Sequence, residues 1–177
     1  MMSHSVYIGL GSNLDNPLMQ VKSAISELSA AANIMVDAVS GIYKSKPLEI
    51  KGADVDFVQA DYINAVIHIK TSYTPDILLD NLQALEIKHN RVKEYRWGPR
   101  SLDLDILLYD DLFVDTERLK IPHAELINRN FVLYPLNDIN PTLKIPKLGK
   151  LETLLKSITK DNLVFVEHYK KLQDLPR

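Results

Sequence analysis

An α+β fold with a mainly antiparallel sheet is predicted by three observations. The strand and helix patterns follow the order β-α-β-β-α-β. The 177 residues suit one domain, and two irregular segments interrupt an otherwise periodic chain. That order is the order of a ferredoxin-like βαββαβ core with helices packed on the sheet. A chain of this length buries a continuous core without staples. Its 46% apolar and 25% charged residues are ordinary for a globular protein.

Val6-Tyr7-Ile8 reads as the first strand and runs into Gly9-Leu10-Gly11-Ser12-Asn13, which is turn chemistry. Asp15 or Asn16 is placed to cap a helix whose first position suits Pro17. Leu18, Val21, Ile25 and Leu28 recur at spacings of three and four and form one buried stripe. Residues 34–43 are rich in β-branched side chains and read as the second strand. From 47 to 61 periodicity fails, and Gly52 sits among Glu49, Asp54, Asp56 and Asp61. Irregular segments of this length inside a domain are commonly lids or binding loops. Residues 62–69 read as the third strand. Thr74-Pro75-Asp76 then offers a cap, a proline start and a dipole-favoured acid, with Leu78, Leu82 and Leu85 on the buried face of the helix. Residues 88–100 form the second irregular segment, dense in cations, and 102–109 the fourth strand. Beyond it come a polar hairpin-like stretch, Ile121-Pro122-His123, a helix over 124–128, a short helix over 133–139, a helix over 151–158 and a last strand over 163–166. Residues 1–177 are expected to form a single domain, with 151–177 as a C-terminal extension.

Composition narrows the function. A net charge of −2 argues against a broad basic face for nucleic acid. The absence of cysteine removes disulfides, thiolate catalysis and cysteine-rich zinc sites, and it fits a reducing compartment. No stretch approaches the roughly 20 apolar residues of a membrane helix. Met1-Met2-Ser3-His4 carries no basic n-region, so a cytoplasmic protein without a signal peptide is expected.

The most informative residues are Leu102-Asp103-Leu104-Asp105-Ile106. Strand alternation sends Leu102, Leu104 and Ile106 to the core and Asp103 and Asp105 together to the other face, about 7 Å apart along the backbone. Two carboxylates so close repel each other unless a cation neutralises them, and magnesium favours one or two carboxylates plus substrate phosphates. A half-exposed strand with acidic outer positions shows the same alternation. The neighbours favour the metal reading. Arg91, Lys93, Arg96 and Arg100 lie just upstream with Trp97, Gly98 and Pro99 among them, and His123 and Arg129 follow. Guanidinium forks suit phosphate oxygens, and metal on one side with arginine on the other is the recurring arrangement of phosphoryl transfer.

Other signals are weaker. Gly9-Leu10-Gly11 lacks the third glycine of a dinucleotide fingerprint and the Gly-Lys-Ser/Thr of a P-loop, so it reads as a tight strand-to-helix turn. His68 alternates with Ile67 and Ile69 on a strand and requires no function, and His4, His89 and His168 show no metal-binding spacing. A lone tryptophan in a polar loop, Trp97, suits stacking on a planar ligand. At this point three alternatives stand beside one another: a phosphoryl-transfer enzyme of another substrate class using Asp-x-Asp, a non-catalytic ligand-sensing domain, and a nucleic-acid module.

The string Arg96-Trp97-Gly98-Pro99-Arg100-Ser101-Leu102-Asp103-Leu104-Asp105-Ile106 resembles the signature of the 6-hydroxymethyl-7,8-dihydropterin pyrophosphokinases of folate biosynthesis. In the same order follow likenesses at Gly9-Leu10-Gly11-Ser12-Asn13-Leu14, Asp61-Tyr62-Ile63-Asn64-Ala65, Pro122-His123 and Asn128-Arg129 with Phe131, covering residues 5 to about 150. The resemblance implies transfer of pyrophosphate from ATP to the pterin alcohol, with AMP released. It implies Asp103 and Asp105 as ligands of two magnesium ions, and Arg91 and Arg100 closing on the phosphates. Ser45, Leu48, Tyr62, Asn64, Trp97 and Phe131 would hold the pterin. Gln83, Glu86, Lys93, Arg100, Ile106, Arg118, Ile121, His123 and Arg129 would hold ATP. It also implies a monomer. Lys93 stands where relatives often carry arginine, and the segment between 47 and 61 is several residues longer than in the pattern.

Overall fold

The computed structural model describes residues 3–48, 59–90 and 100–170. The elements, in order, are β1 (His4–Ser12), α1 (Pro17–Ala30), β2 (Ile34–Val39), β3 (Gly41–Ser45), β4 (Tyr62–Thr71), α2 (Pro75–Lys88), β5 (Asp103–Tyr109), β6 (Val114–Asp115) and β7 (Lys120–Ile121). A 3₁₀ turn at Leu126–Asn128 leads into α3 (Asn130–Ile139). Then follow β8 (Lys144–Ile145), β9 (Gly149–Lys150), α4 (Leu151–Leu155) and β10 (Leu163–His168). The main sheet runs β10-β3-β4-β1-β5, with β2 also paired to β4, and each of these pairings is antiparallel. The chain is thus a mixed α/β protein built on a mainly antiparallel sheet.

Several boundaries differ from the sequence expectations, each for a local reason. β1 continues through Gly9, Leu10 and Gly11, which pair with both β4 and β5, and through Ser12, which pairs with β4, instead of turning. Two flanking ladders override the turn preference of the glycines. The strand expected over 34–43 breaks at Ser40, between β2 and β3. Ser40 stays tied to β4: its N–H donates to the Val66 carbonyl at 2.9 Å and its Oγ accepts from the Val66 N–H at 2.9 Å. The helix expected over 124–128 is a single 3₁₀ turn. α3 starts earlier than expected, at Asn130, and tolerates Pro135 within it. Asn16 occupies the N-cap of α1 in the left-handed region (φ 61°), where asparagine is tolerated, but its side chain makes no capping bond. Thr74 likewise caps α2 by position only.

The two faces of the sheet are covered unequally, and this creates the site. One face carries Val6, Ile8, Leu10, Ile63, Ile67, Leu104 and Ile106 against Val21, Ile25, Leu78 and Leu82 of α1 and α2. Fully burying one such side chain contributes about 1.5–3 kcal/mol. The other face carries Tyr7, Val66, Leu107 and Leu108 against Val132, Leu133 and Leu136 of α3, with Leu151 of α4. A register shift in the β1–β5 pairing skips Leu107, so Leu107 and Leu108 both serve this second core. On the same side Gly9, Gly11, Asn64, Asp103 and Asp105 line an open cleft, bordered by Phe131 and Val132 at the start of α3.

Candidate active site

Register explains how the site is assembled. Gly11 lies opposite Asn64 on β4 and Asp103 on β5, and Gly9 lies opposite Val66 and Asp105. The two glycines therefore form a bare strip between an amide and two carboxylates. A Cβ on Gly11 would sit 3.4 Å from Asn64 Oδ1, and one on Gly9 3.4 Å from Leu107. Here glycine supplies space rather than an unusual backbone angle.

A cleft of about 790 Å³, open to solvent, stands on this strip. The end of β3 provides Ser45, Pro47 and Leu48, β4 provides Tyr62 and Asn64, and α3 provides Phe131 and Val132. Asn64 is buried and donates from Nδ2 to Ser45 Oγ at 2.7 Å. The walls are apolar or aromatic and the base carries a few fixed polar atoms, which suits a flat heterocycle.

A second cleft of about 870 Å³ opens at the β5 edge of the sheet. Its walls are Leu79, Gln83 and Glu86 of α2, Leu104 and Ile106 of β5, and Arg118, Lys120 and His123 from the segment beyond. Glu86 is almost fully buried and accepts the Leu104 N–H at 2.8 Å, so it fixes α2 to β5. Arg118 is half-exposed and paired to Asp80, with Asp76 at 3.8 Å.

Arg100, Asp103 and Asp105 line both clefts. Arg100 Nη1 donates to Asp103 Oδ2 at 2.9 Å, while Arg129 Nη1 and His123 Nε2 each lie 3.6 Å from Asp105 Oδ2. Asp105 keeps about a third of its side-chain surface accessible (31%), but at the base of a concave site. That enclosure, with the Asp103 charge beside it, pushes its carboxyl up to about 7 despite Arg129. His123 is driven the other way, down to about 4, by burial and by Arg129. Its Nδ1 receives the Glu125 N–H at 3.2 Å, so the neutral ring carries its proton on Nε2, toward Asp105.

The expected residues are thus largely brought together. Asp103 and Asp105 do share a face opposite Leu102, Leu104 and Ile106. Arg129 lies in the first cleft rather than the second, at its junction with Asp105. Ile121 is buried in the core and reaches neither cleft surface. Arg91, Lys93 and Trp97 lie outside the described residues. Sequence reasoning missed Gly9 and Gly11 as cleft floor, although their alternation on one strand face was the available signal. It also missed Asn13 as a tie. The buried Asn13 holds Arg100 through two backbone-level bonds (Arg100 N–H to Asn13 Oδ1, 2.8 Å; Asn13 N–H to Arg100 O, 3.0 Å) and donates to Ala60 O at 3.1 Å.

Residues 7–141 match the family model described as 7,8-dihydro-6-hydroxymethylpterin-pyrophosphokinase. A 2-amino-4-hydroxy-6-hydroxymethyldihydropteridine pyrophosphokinase of Haemophilus influenzae is 41% identical over 160 residues, covering 90% of this chain and 96% of the relative. One of the same name from Pseudomonas aeruginosa is 43% identical over 154 residues, covering 87% and 91%. Among solved structures, an HPPK-DHPS chain in complex with substrates superposes with a TM-score of 0.68 at 12% identity, covering 89% of this chain. A Plasmodium falciparum HPPK-DHPS triple mutant does so with a TM-score of 0.68 at 14% identity, covering 92%. This chain spans 43% and 45% of those two longer chains, and at such identity they speak to the fold alone. With two clefts meeting at a carboxylate pair, and with a family match over most of its length, the chain belongs to the 7,8-dihydro-6-hydroxymethylpterin-pyrophosphokinase family.

Proposed function

We propose that this chain transfers a diphosphate from ATP to the hydroxymethyl group of 6-hydroxymethyl-7,8-dihydropterin, forming the pterin methyl diphosphate and AMP. The observation that carries this reading is the wall common to both clefts. A pterin in the first and a nucleotide in the second would meet at Arg100, Asp103 and Asp105. Bringing two substrates into line across one wall converts a bimolecular encounter into a positioned one.

The donor set fits magnesium. Among the described residues no group of three or more His, Cys, Asp or Glu gathers to hold a metal, so a cage of protein ligands is not offered. Two neighbouring carboxylates are, and the Asp105 carboxyl is raised by burial and by the Asp103 charge, which a divalent cation would offset. Asp103 and Asp105 would hold two such ions, which would supply positive charge to offset the charge developing on the transferred diphosphate. The chain's own groups orient and neutralise. Arg129 and Arg100 face the transferred diphosphate at the junction, and the neutral His123 offers Nε2–H beside it. Gln83, Arg118 and Ile106 border the nucleotide; Ser45, Leu48, Tyr62, Asn64 and Phe131 border the pterin. Arg91, Lys93 and Trp97 join them on the strength of the sequence likeness.

The antiparallel order β5-β1-β4-β3 with α1 and α2 on one face supports a ferredoxin-like core; the two catalytic loops expected over 47–61 and 88–100 lie largely outside the described residues. We read 1–177 as one domain working as a cytoplasmic monomer. The cysteine-free sequence supports that setting, and among the described residues no helix is long and apolar enough to cross a membrane.

The test mixes ATP, magnesium and the hydroxymethyl pterin and separates the products. AMP should appear in step with pterin diphosphate; ADP or inorganic phosphate as the nucleotide-side product overturns the assignment. Asp103→Ala and Asp105→Ala should each lower turnover at least ~10³-fold, since anchoring metal-held phosphate is worth several kcal/mol. Their circular dichroism should stay unchanged.

A further inference from the structure

We propose that Ser5, His68 and Asp37 form a second reactive centre, a serine nucleophile activated for acyl transfer, at the opposite end of the sheet from the diphosphate-transfer site. Ser5 precedes Gly11 by six residues along β1, about 20 Å by strand rise.

Ser5 Oγ lies 2.7 Å from His68 Nε2, and His68 Nδ1 lies 2.9 Å from Asp37 Oδ2. Both distances fall in the range expected of a nucleophile, its base and the group that orients the base. A carboxylate only accepts, so the neutral ring places its proton on Nδ1 toward Asp37 and leaves Nε2 as a lone pair. The Ser5 hydroxyl is then the donor, with its proton already directed at the base. The ring is held in this pose. It packs on Tyr7 with centroids 4.8 Å apart and keeps only 13% of its side-chain surface exposed. Tyr7 is fixed in turn by Asn140 Nδ2, which donates to its hydroxyl at 3.2 Å. The Ser5 backbone is anchored by its N–H to Asp110 Oδ1 at 2.7 Å. Such constellations are recognised by geometry and not by chain order.

The serine also has somewhere to work. It lines a cleft of about 660 Å³ together with Leu108, Asp110, Asp111, Asn140, Leu143 and Lys144. Leu108 and Leu143 form an apolar wall for a short acyl chain, and the polar side carries Asn140 and Lys144 beside the carboxylates of Asp110 and Asp111. The ligand class that fits is a small carboxylic ester. Ser5 Oγ would bond to the carbonyl carbon as its proton passes to His68 Nε2. Collapse would break the bond to the leaving alcohol, which takes that proton. Water, deprotonated by the same nitrogen, would then release the carboxylic acid and restore the serine.

The experiment treats the full chain with a fluorophosphonate probe and with p-nitrophenyl acetate, mapping modified residues by peptide mass spectrometry. Ser5 should be the labelled serine, and urea-unfolded protein should label at least tenfold more slowly. Ser5→Ala should remove the label, and His68→Gln should slow labelling about 100-fold, the size of a general-base contribution. AMP production should be unchanged in both variants, which reports an intact fold independently of the relay. Labelling at another residue, equal labelling of unfolded protein, or a His68→Gln variant that labels at the wild-type rate overturns the proposal.

Discussion

Gly11 shows how much a single residue contributes by lacking a side chain. It sits between Asn64 and Asp103 on the cleft floor, and a Cβ there would meet Asn64 Oδ1 at 3.4 Å, an ordinary contact. Gly11→Ala should therefore be nearly neutral. Gly11→Val adds an isopropyl group to the floor of the cleft proposed for the pterin, and steric overpacking of this kind costs about 1–3 kcal/mol of binding. Steady-state kinetics should show KM for the pterin raised about 10-fold or more, KM for ATP little changed, and a thermal midpoint close to wild type. An equal rise for both substrates would mean that Gly11 acts through the fold. At this scale the sequence was partly legible. Asp103 and Asp105 announced themselves because strand alternation is a local rule. Gly9 and Gly11 did not, because Gly-Leu-Gly-Ser-Asn has the local chemistry of a turn and becomes strand only through partners more than fifty residues away.

Two junctions between elements carry predictions of different kinds. α2 is tied to α1 through Glu27, which receives His89 Nε2 at 2.7 Å and is paired with Lys88, while His89 Nδ1 meets Gln20 Oε1 at 2.5 Å. Burial draws the Glu27 carboxyl upward, but bonds from Lys88 and His89 and their charges outweigh it and hold the group below its ordinary value of 4.5. The unfolded chain then binds the proton more readily, so stability rises with pH. The contribution is complete above about 4.5 and is lost as pH falls through the lowered folded value. Glu27→Gln should cost about 1 kcal/mol in urea unfolding at pH 7, the upper end for a partly exposed pair, and less at pH 3. The same penalty at both values would rule out charge as the origin. At the other edge, β10 pairs with β3, and Phe165 packs edge-on to Tyr43 with centroids 5.8 Å apart. Gly41 admits this approach, since a Cβ there would lie 2.9 Å from the Phe165 ring. Leu163 is buried and Glu167 pairs with Lys22 of α1. Ending the chain after Lys160 should therefore lower unfolding free energy by about 2–4 kcal/mol, from one buried leucine and one aromatic pair. An unchanged urea midpoint would make β10 an ornament. The short apolar run 163–166 was readable as a strand, but no local pattern could reveal that it borders β3, so the stretch beyond 150 looked like an appendage.

For the whole molecule, what matters is that two clefts with different linings share one wall, and this was the least legible feature of all. Ser45, Asn64 and Phe131 are scattered over 87 positions of chain, and Gln83, Arg118 and His123 over 41; the family resemblance separates the two groups but no local spacing does, and only the folded sheet gives each its own cleft. The sorting makes a binding prediction that activity measurements alone cannot. Phe131 lines the first cleft and Arg118 the second, whereas Asp105 lines both. In titration calorimetry with a non-hydrolysable ATP analogue plus magnesium, and separately with the hydroxymethyl pterin, Phe131→Ala should weaken the pterin about 3–10-fold. That is the worth of one aromatic contact, and nucleotide affinity should be left within a factor of two. Arg118→Ala should do the reverse, weakening the nucleotide by a similar factor and sparing the pterin. Asp105→Asn should weaken the magnesium nucleotide; any gain in pterin affinity on adding the nucleotide analogue should be lost in the same variant, since coupling through the shared wall is reciprocal. If Phe131→Ala and Arg118→Ala each damaged both ligands equally, the two clefts would be one site, and the division of labour across the β5 carboxylates would be wrong.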